Sequence, residues 1–149
     1  MIPVWAHPDT HPGAYSAISD FVSQRIWGDG RGLPDGTALG ILHGGALVAG
    51  VIYHNWQPRE AVVEISVASD NKRWLTRPVL AEMFGFAFGQ LGCQAVVCRM
   101  DPDNWPLRRI CGAYGFTEHT LPRLRGRDRA EIVCILGDDD WRGNKFNAR

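Results

Sequence analysis

Between residues 61 and 100 the chain changes its periodicity twice. AVVEISVAS (61–69) is dominated by β-branched residues and reads as a strand. From Thr76 onward Val79, Leu80, Met83, Phe84, Phe86, Ala87 and Leu91 fall at helical spacing. Thr76 is a capping residue, Pro78 sits early where its missing N–H costs nothing, and Gly92 stops the helix. Gln94–Met100 then reads as a buried strand. A strand–helix–strand crossover within one sheet is right-handed and makes its two strands parallel. This unit excludes an all-α or a pure hairpin architecture.

The flanks add antiparallel strands. Tyr15, Ile18, Phe21, Val22, Arg25 and Ile26 predict a helix over about 14–26, and GDGRGLPDG (28–36) is a loop. Thr37–His43 and Ala46–Trp56 are strands joined by the Gly44-Gly45 hairpin turn, and Gln57–Glu60 with Pro58 is the next turn. Asp103 or Asn104 caps a later helix that holds Pro106 in its first turn and stops at Gly115. Phe116–Leu124 and Ala130–Leu136 are two last strands around a loop at Gly126. The expected order is α, β-meander, then β-α-β-α-β-β. The fold class is α/β (α+β), a single domain over 1–149. Its sheet is mixed, mostly antiparallel, with six to seven strands flanked by helices around the central crossover.

A chain of 149 residues with 45% hydrophobic content supports one core. Sixteen basic and sixteen acidic residues balance, so binding of nucleic acid by bulk charge is excluded, while a local basic patch is not. No apolar run reaches the roughly 20 residues that span a bilayer, and the N-terminus lacks the charged-then-apolar pattern of a signal peptide. Cys93, Cys98, Cys111 and Cys134 form no CxxC pair, so zinc is not expected and no metal is invoked. They read as reduced, partly buried thiols of a cytoplasmic protein.

Parallel strands joined by a crossover often place a ligand at their C-terminal ends. Here those ends are Val67–Ser69 and Arg99–Asp101, each followed by a helix N-terminus with free N–H groups and partial positive charge. Ser69–Arg77 (SDNKRWLTR) adds a hydroxyl and three basic side chains. That set suits a pyrophosphate, and it equally suits a solvated loop with ordinary surface charges.

Over nearly its whole length the chain resembles the GCN5-related N-acetyltransferase superfamily. The resemblance rests on EISVAS (64–69), NKRWLTR (71–77) and NWPLRRICGAYGF (104–116) in that order. The tail, GFTEH (115–119) and LPRLRGRDRAEIVCILGDDDW (121–141), is similar to the branch that acetylates protein N-termini, the ribosomal-protein type, with compact versions in bacteria and phages. The resemblance implies transfer of an acetyl group from acetyl-CoA to an amine-bearing acceptor by direct attack. It implies that the backbone of Val67, Ala68 and Ser69 binds the thioester carbonyl and the pantetheine amides. Asn71, Lys72, Arg73, Trp74, Leu75 and Thr76 would hold the pyrophosphate, and Asn104 would bond the pantetheine arm or a water beside it. Two departures stand out. The family's Gly-x-Gly/Ala step is Trp74-Leu75-Thr76 here, which leaves more of the phosphate binding to Lys72, Arg73 and Thr76. The family's Tyr, acid to the leaving thiolate, is matched by Cys111; Tyr114, three residues on, is expected to point elsewhere.

Acyl transfer needs a neutral amine, a polarised carbonyl and a proton for the thiolate. Glu64, a charge inside a strand, is the candidate base; partial burial would raise its pKa. With a turn centred on Pro58-Arg59 it pairs with Tyr53 and shares a face with Ser66. It also fits an outward-facing Glu on a half-exposed strand. His54 is expected on the opposite face as a structural histidine, and His119, on the penultimate strand, is a second catalytic candidate. Cys111 reads as core. Trp56, Trp74 and Trp105 flank the proposed site or pack the core. Arg123, Arg125, Arg127 and Arg129 form a solvated face, or attract an acidic substrate or nucleic acid. Two rival readings stay open. One is a non-catalytic protein of this fold that binds CoA, nucleic acid or a protein partner. The other is a phage-type enzyme that modifies a nucleobase. The acceptor and the oligomeric state are open, a homodimer included, and no membrane partner is expected.

Overall fold

The computed structural model describes residues 1–147. Seven strands form one sheet in the order β1-β2-β3-β4-β5-β7-β6. They are β1 (Ile2–Ala6), β2 (Thr37–His43), β3 (Ala46–Gln57), β4 (Val62–Ser69), β5 (Ala95–Met100), β6 (Thr117–Leu121) and β7 (Glu131–Gly137). The helices are α1 (Pro12–Trp27), α2 (Arg77–Phe84), α3 (Trp105–Tyr114) and the short α4 (Asp138–Arg142). α2 runs on into a π-helical turn, Gly85–Gln90, and Lys145–Asn147 form a 3₁₀ turn.

Every strand pair is antiparallel except β4–β5, where Val62–Ile65 run alongside Ala95–Cys98. α2 makes the crossover between those two strands, as the change of period requires. Thr76 caps it, its hydroxyl accepting the Val79 N–H at 3.3 Å, and Asn104 caps α3. Gly115 ends α3 with φ 117°, a left-handed conformation that glycine adopts without strain.

Side chains alternate across the sheet and divide the core in two. Ala38 and Ile52 pack under Tyr15, Ile18 and Val22 of α1. Leu39, Val51, Tyr53, Val63, Ile65, Val96, Cys98 and Cys134 pack on the other face, under α2 and α3. α1 sits almost on the backbone: a Cβ at Gly50 would lie 2.8 Å from Val22 Cγ2, and one at Gly40 2.9 Å from Ile18 Cδ1.

Several elements differ from the sequence expectation. β1 and α4 have no counterpart in it, and β6 stops at Leu121 instead of Leu124. The register of β3 on β4 also differs. Glu64 pairs with His54, and Tyr53 pairs with Ile65. The ladder slips between His54 and Gln57, and the extra length is taken up by Asn55 (φ 51°) and Ala61 (φ 56°). A slip of one residue exchanges the faces of the sheet. His54 therefore lies on the same face as Glu64, not the opposite one.

Candidate functional site

The β4–β5 ladder ends at Ile65 and Cys98, yet β4 continues to Ser69 and β5 to Met100. Ser66, Val67, Ala68 and Ser69 keep partners on β3 only. The two strands part, and their backbone groups face a gap that opens toward the capped N-terminus of α2. Under the gap, on the α2 side, lies a narrow apolar cleft of about 40 Å³, lined by Val67, Trp74, Leu75, Cys111 and Tyr114 among others.

The loop at the mouth of the gap is wound upon itself. Ser69 Oγ accepts the Asn71 N–H at 3.0 Å and donates to the Asn71 carbonyl at 2.7 Å, and Asn71 Oδ1 accepts the Arg73 N–H at 2.8 Å. The Thr76 N–H donates to the Trp74 carbonyl at 3.0 Å. Lys72 and Arg73 are exposed. Arg77, the third basic residue of the segment, is turned away and donates to the Phe146 carbonyl at 3.2 Å. Val67 faces the cleft, whereas Ala68 packs toward α1. Trp74 is 5% exposed and packs in the core below the loop. Asn104 Oδ1 accepts the Leu107 N–H at 3.4 Å, so that oxygen serves as the α3 cap.

The corrected register creates a polar cluster beside the point where the strands part. His54 Nε2 lies 2.8 Å from Ser66 Oγ and 3.8 Å from Glu64 Oε2. Asn55 Nδ2 donates to Glu64 Oε1 at 3.4 Å. Burial holds the His54 pKa below its ordinary value, and Glu64 pulls weakly the other way. His119 is elsewhere. It sits on exposed β6, with β5 and β7 between it and β4, about 14 Å away at ordinary strand spacing. The structure does not bring Glu64 and His119 together.

Tyr114 does not point away from Cys111. Three residues along a helix place side chains on one face, and both line the cleft. Burial raises the Tyr114 pKa. Contact with Cys134 lowers that of Cys111, but contact with Cys98 and burial outweigh it, and the thiol stays protonated. Trp56 and Trp105 are exposed, the latter under the Arg108 guanidinium. Arg125 and Arg129 are engaged with carboxylates: Arg125 with Glu131 at 2.7 Å and with Asp101, Arg129 with Asp101 and with Asp103 at 2.8 Å. That pairing removes two of the four arginines from a free basic face.

A second cavity, of about 310 Å³, lies at the opposite end of β3 and includes His7, Asp9, Asp35, Tyr53, His54 and Trp56. Among the described residues no His, Cys, Asp and Glu side chains group to hold a metal ion, and no helix is long and apolar enough to cross a membrane.

The sequence placed Ser66 on the face of Glu64 but missed His54 as their partner, because that pairing depends on the bulge. Arg25, which clamps Asp70 at the loop, lies 45 positions away in sequence, and no local signal links the two.

No family model and no curated protein matches the chain. Solved structures do. A GCN5-related N-acetyltransferase from Brucella melitensis superposes with a TM-score of 0.67 at 15% identity, over 93% of this chain and 76% of that one. Ribosomal-protein-S5-alanine acetyltransferase from Vibrio fischeri gives 0.60 at 14% identity, over 71% and 63%. RimJ of Mycobacterium smegmatis, in complex with CoA-disulfide, gives 0.62 at 17% identity, over 75% and 57%. The chain thus spans less than two thirds of several of the acetyltransferases it matches, 63% and 64% of two others. At these identities the likeness is one of fold: the chain has the GCN5-related N-acetyltransferase fold.

Proposed function

We propose that the chain is a single-domain N-acetyltransferase that moves an acetyl group from acetyl-CoA to a primary amine by direct attack. The observation that carries this reading is the parting of β4 from β5 after Ile65 and Cys98. It leaves strand-edge backbone at Val67–Ser69 free to meet the amides of a pantetheine arm, beside a helix N-terminus fit for an anion. Exposed Lys72 and Arg73 would add mobile charge for the pyrophosphate. The amine would lose its proton to the cluster of Glu64 and His54. Two fold neighbours support this assignment: one is an enzyme of a ribosomal-protein alanine, and the other is held with a CoA disulfide. Peptide N-terminus, small amine and nucleobase amine all fit as acceptors. Four free, buried thiols fit a reducing cytoplasm.

Trp74 supports a second reading. Its buried indole fills space beneath the loop where the family's glycines let a cofactor approach, and the cleft is narrow. On that reading the protein keeps the fold without turnover. Calorimetry with acetyl-CoA, followed by a thiol-release screen over amine acceptors, separates the two. Binding with thiol release supports the enzyme, and no binding supports the second reading.

A further inference from the structure

Which group of the His54–Glu64 cluster takes the proton is decided by where each side chain points. Glu64 Oε1 is turned to Asn55 and Oε2 to His54, both on β3, the side away from β5. Ser66 is the first residue of β4 beyond the last β5 partner, so of the three it stands nearest the gap. Its hydroxyl lies 2.8 Å from His54 Nε2. The three groups thus run from the gap inward as hydroxyl, imidazole, carboxylate. Ser66 is buried, and the His54 and Glu64 side chains are each 17% exposed, so bulk water competes little for these contacts.

We propose that His54 is the proton acceptor of the reaction, reached through the Ser66 hydroxyl, and that Glu64 stabilises the imidazolium that forms. The inference rests on the acetyl-transfer reading and specifies its proton path. One N–H bond of the acceptor ammonium breaks and its proton passes to Ser66 Oγ, while the Ser66 O–H proton passes to His54 Nε2. The freed nitrogen pair attacks the acetyl carbonyl carbon of acetyl-CoA. The C–N bond forms, the C–S bond breaks, and the sulfur leaves with the pair. The proton still carried by the new amide nitrogen in excess goes to the thiolate, and His54 returns its own to solvent. Neutral imidazole with a hydroxyl donor on Nε2 carries its proton on Nδ1, the tautomer this path needs. Burial, which keeps His54 neutral near pH 7, agrees with the geometry. The charged and titratable groups that face His54 are Glu64 from β4, His7 and Asp9 before α1, and Asp35 before β2.

The test compares His54→Gln, Ser66→Ala, Ser66→Thr and Glu64→Gln in the full chain, by thiol release with acetyl-CoA across pH 5–9. Acetyl-CoA affinity is measured by calorimetry, and folding by circular dichroism. With hexylamine and a short peptide with a free N-terminal alanine as acceptors, His54→Gln should lower kcat by about a hundredfold or more and abolish the acidic limb, with acetyl-CoA affinity unchanged. Ser66→Ala should lower kcat but keep the limb, and Ser66→Thr should restore the rate. Glu64→Gln should keep the limb and move it to lower pH, because the imidazolium loses its counter-charge. An acidic limb abolished by Glu64→Gln, or a wild-type profile in His54→Gln, overturns the proposal while leaving acetyl transfer intact. If His54→Gln fails to fold, nitrogen-15 NMR titration of His54 in wild type, Ser66→Ala and Glu64→Gln decides instead. A midpoint that neither substitution moves overturns the relay. A wild-type chain that releases no thiol with either acceptor overturns the acetyl-transfer reading itself, and the relay with it.

Discussion

Arg25 on α1 clasps Asp70 with two parallel bonds, Nε to Oδ1 and Nη2 to Oδ2, each 2.7 Å long. Its guanidinium also stacks 3.4 Å over the Phe21 ring, so it is held from both sides. Asp70 immediately precedes the loop that carries Lys72 and Arg73. The clasp does two things for that loop: it fixes the first residue, and it neutralises a carboxylate that would repel phosphate. Both partners are partly wetted, so the contribution to stability is small and the contribution to position is the larger one. Arg25→Met should weaken CoA binding several-fold with little change in Tm, and adding Asp70→Asn should restore much of it. Calorimetry checks this; equal affinity in Arg25→Met and wild type would reject the role.

Replacing Lys72 and Arg73 together by Ala should weaken CoA binding by at least about tenfold, since charge-assisted contacts to phosphate are the strong ones. The double variant should also lose most of the salt dependence of binding. Titrations at two ionic strengths read both effects. An unchanged affinity would remove the loop from the site.

Trp74 is packed where a smaller residue would leave a hole. Trp74→Ala should cost about 3–5 kcal/mol in chemical denaturation. If the indole blocks the pantetheine arm, the same variant should bind CoA where the wild type does not. Loss of stability with no gain in binding would favour the enzyme reading, in which the wild type already binds.

Much of this architecture was written in local chemistry. The crossover, the Thr76 and Asn104 caps, the Gly44-Gly45 turn and the Gly115 stop all follow from residues within a few positions of each other. β1 was not legible because IPVWA is short, carries Pro3 and lies at the sheet edge, where such a residue is tolerated. The pairing of Glu64 with His54 was not legible for another reason. It depends on Asn55 and Ala61 adopting left-handed backbone, and neither residue signals that. For Trp74 the sequence left site edge and core packing open, and its burial among residues such as Leu80, Met83 and Tyr114 is set by the fold.

The four thiols should be silent in the native state. Cys93, Cys98, Cys111 and Cys134 are all buried, and burial pushes the Cys93 pKa to about 11. Contact with Cys111 and then burial raise that of Cys134 as well. A thiol reagent at pH 8 should label none of the four at an appreciable rate until denaturant is added, after which all should react. Rapid native labelling would contradict the packing.

His54 gives stability a pH dependence of definite sign. Its folded pKa lies below the ordinary 6.5, so the unfolded chain binds the proton more readily. Stability should be full above about pH 6.5, fall as pH drops below that value, and level off once the folded state is protonated too. His54→Gln should flatten this part of the curve, as urea unfolding at several pH values would show. Equal slopes in the two proteins would place the titration elsewhere.

The sheet looks continuous in outline, yet β4 and β5 pair only over Val62–Ile65 and Ala95–Cys98, and the apolar core under α2 and α3 joins the two sides. α1 packs on β1–β4, whereas α3 packs on β6 and adds Cys111 and Tyr114 to the core of the other face. Those four rungs are the narrowest waist of the ladder, and beyond them the edge of β4 has no partner from β5. Amides of β4 that face this unpaired edge should exchange faster than those in the four rungs, so protection should drop between Ile65 and Ser66.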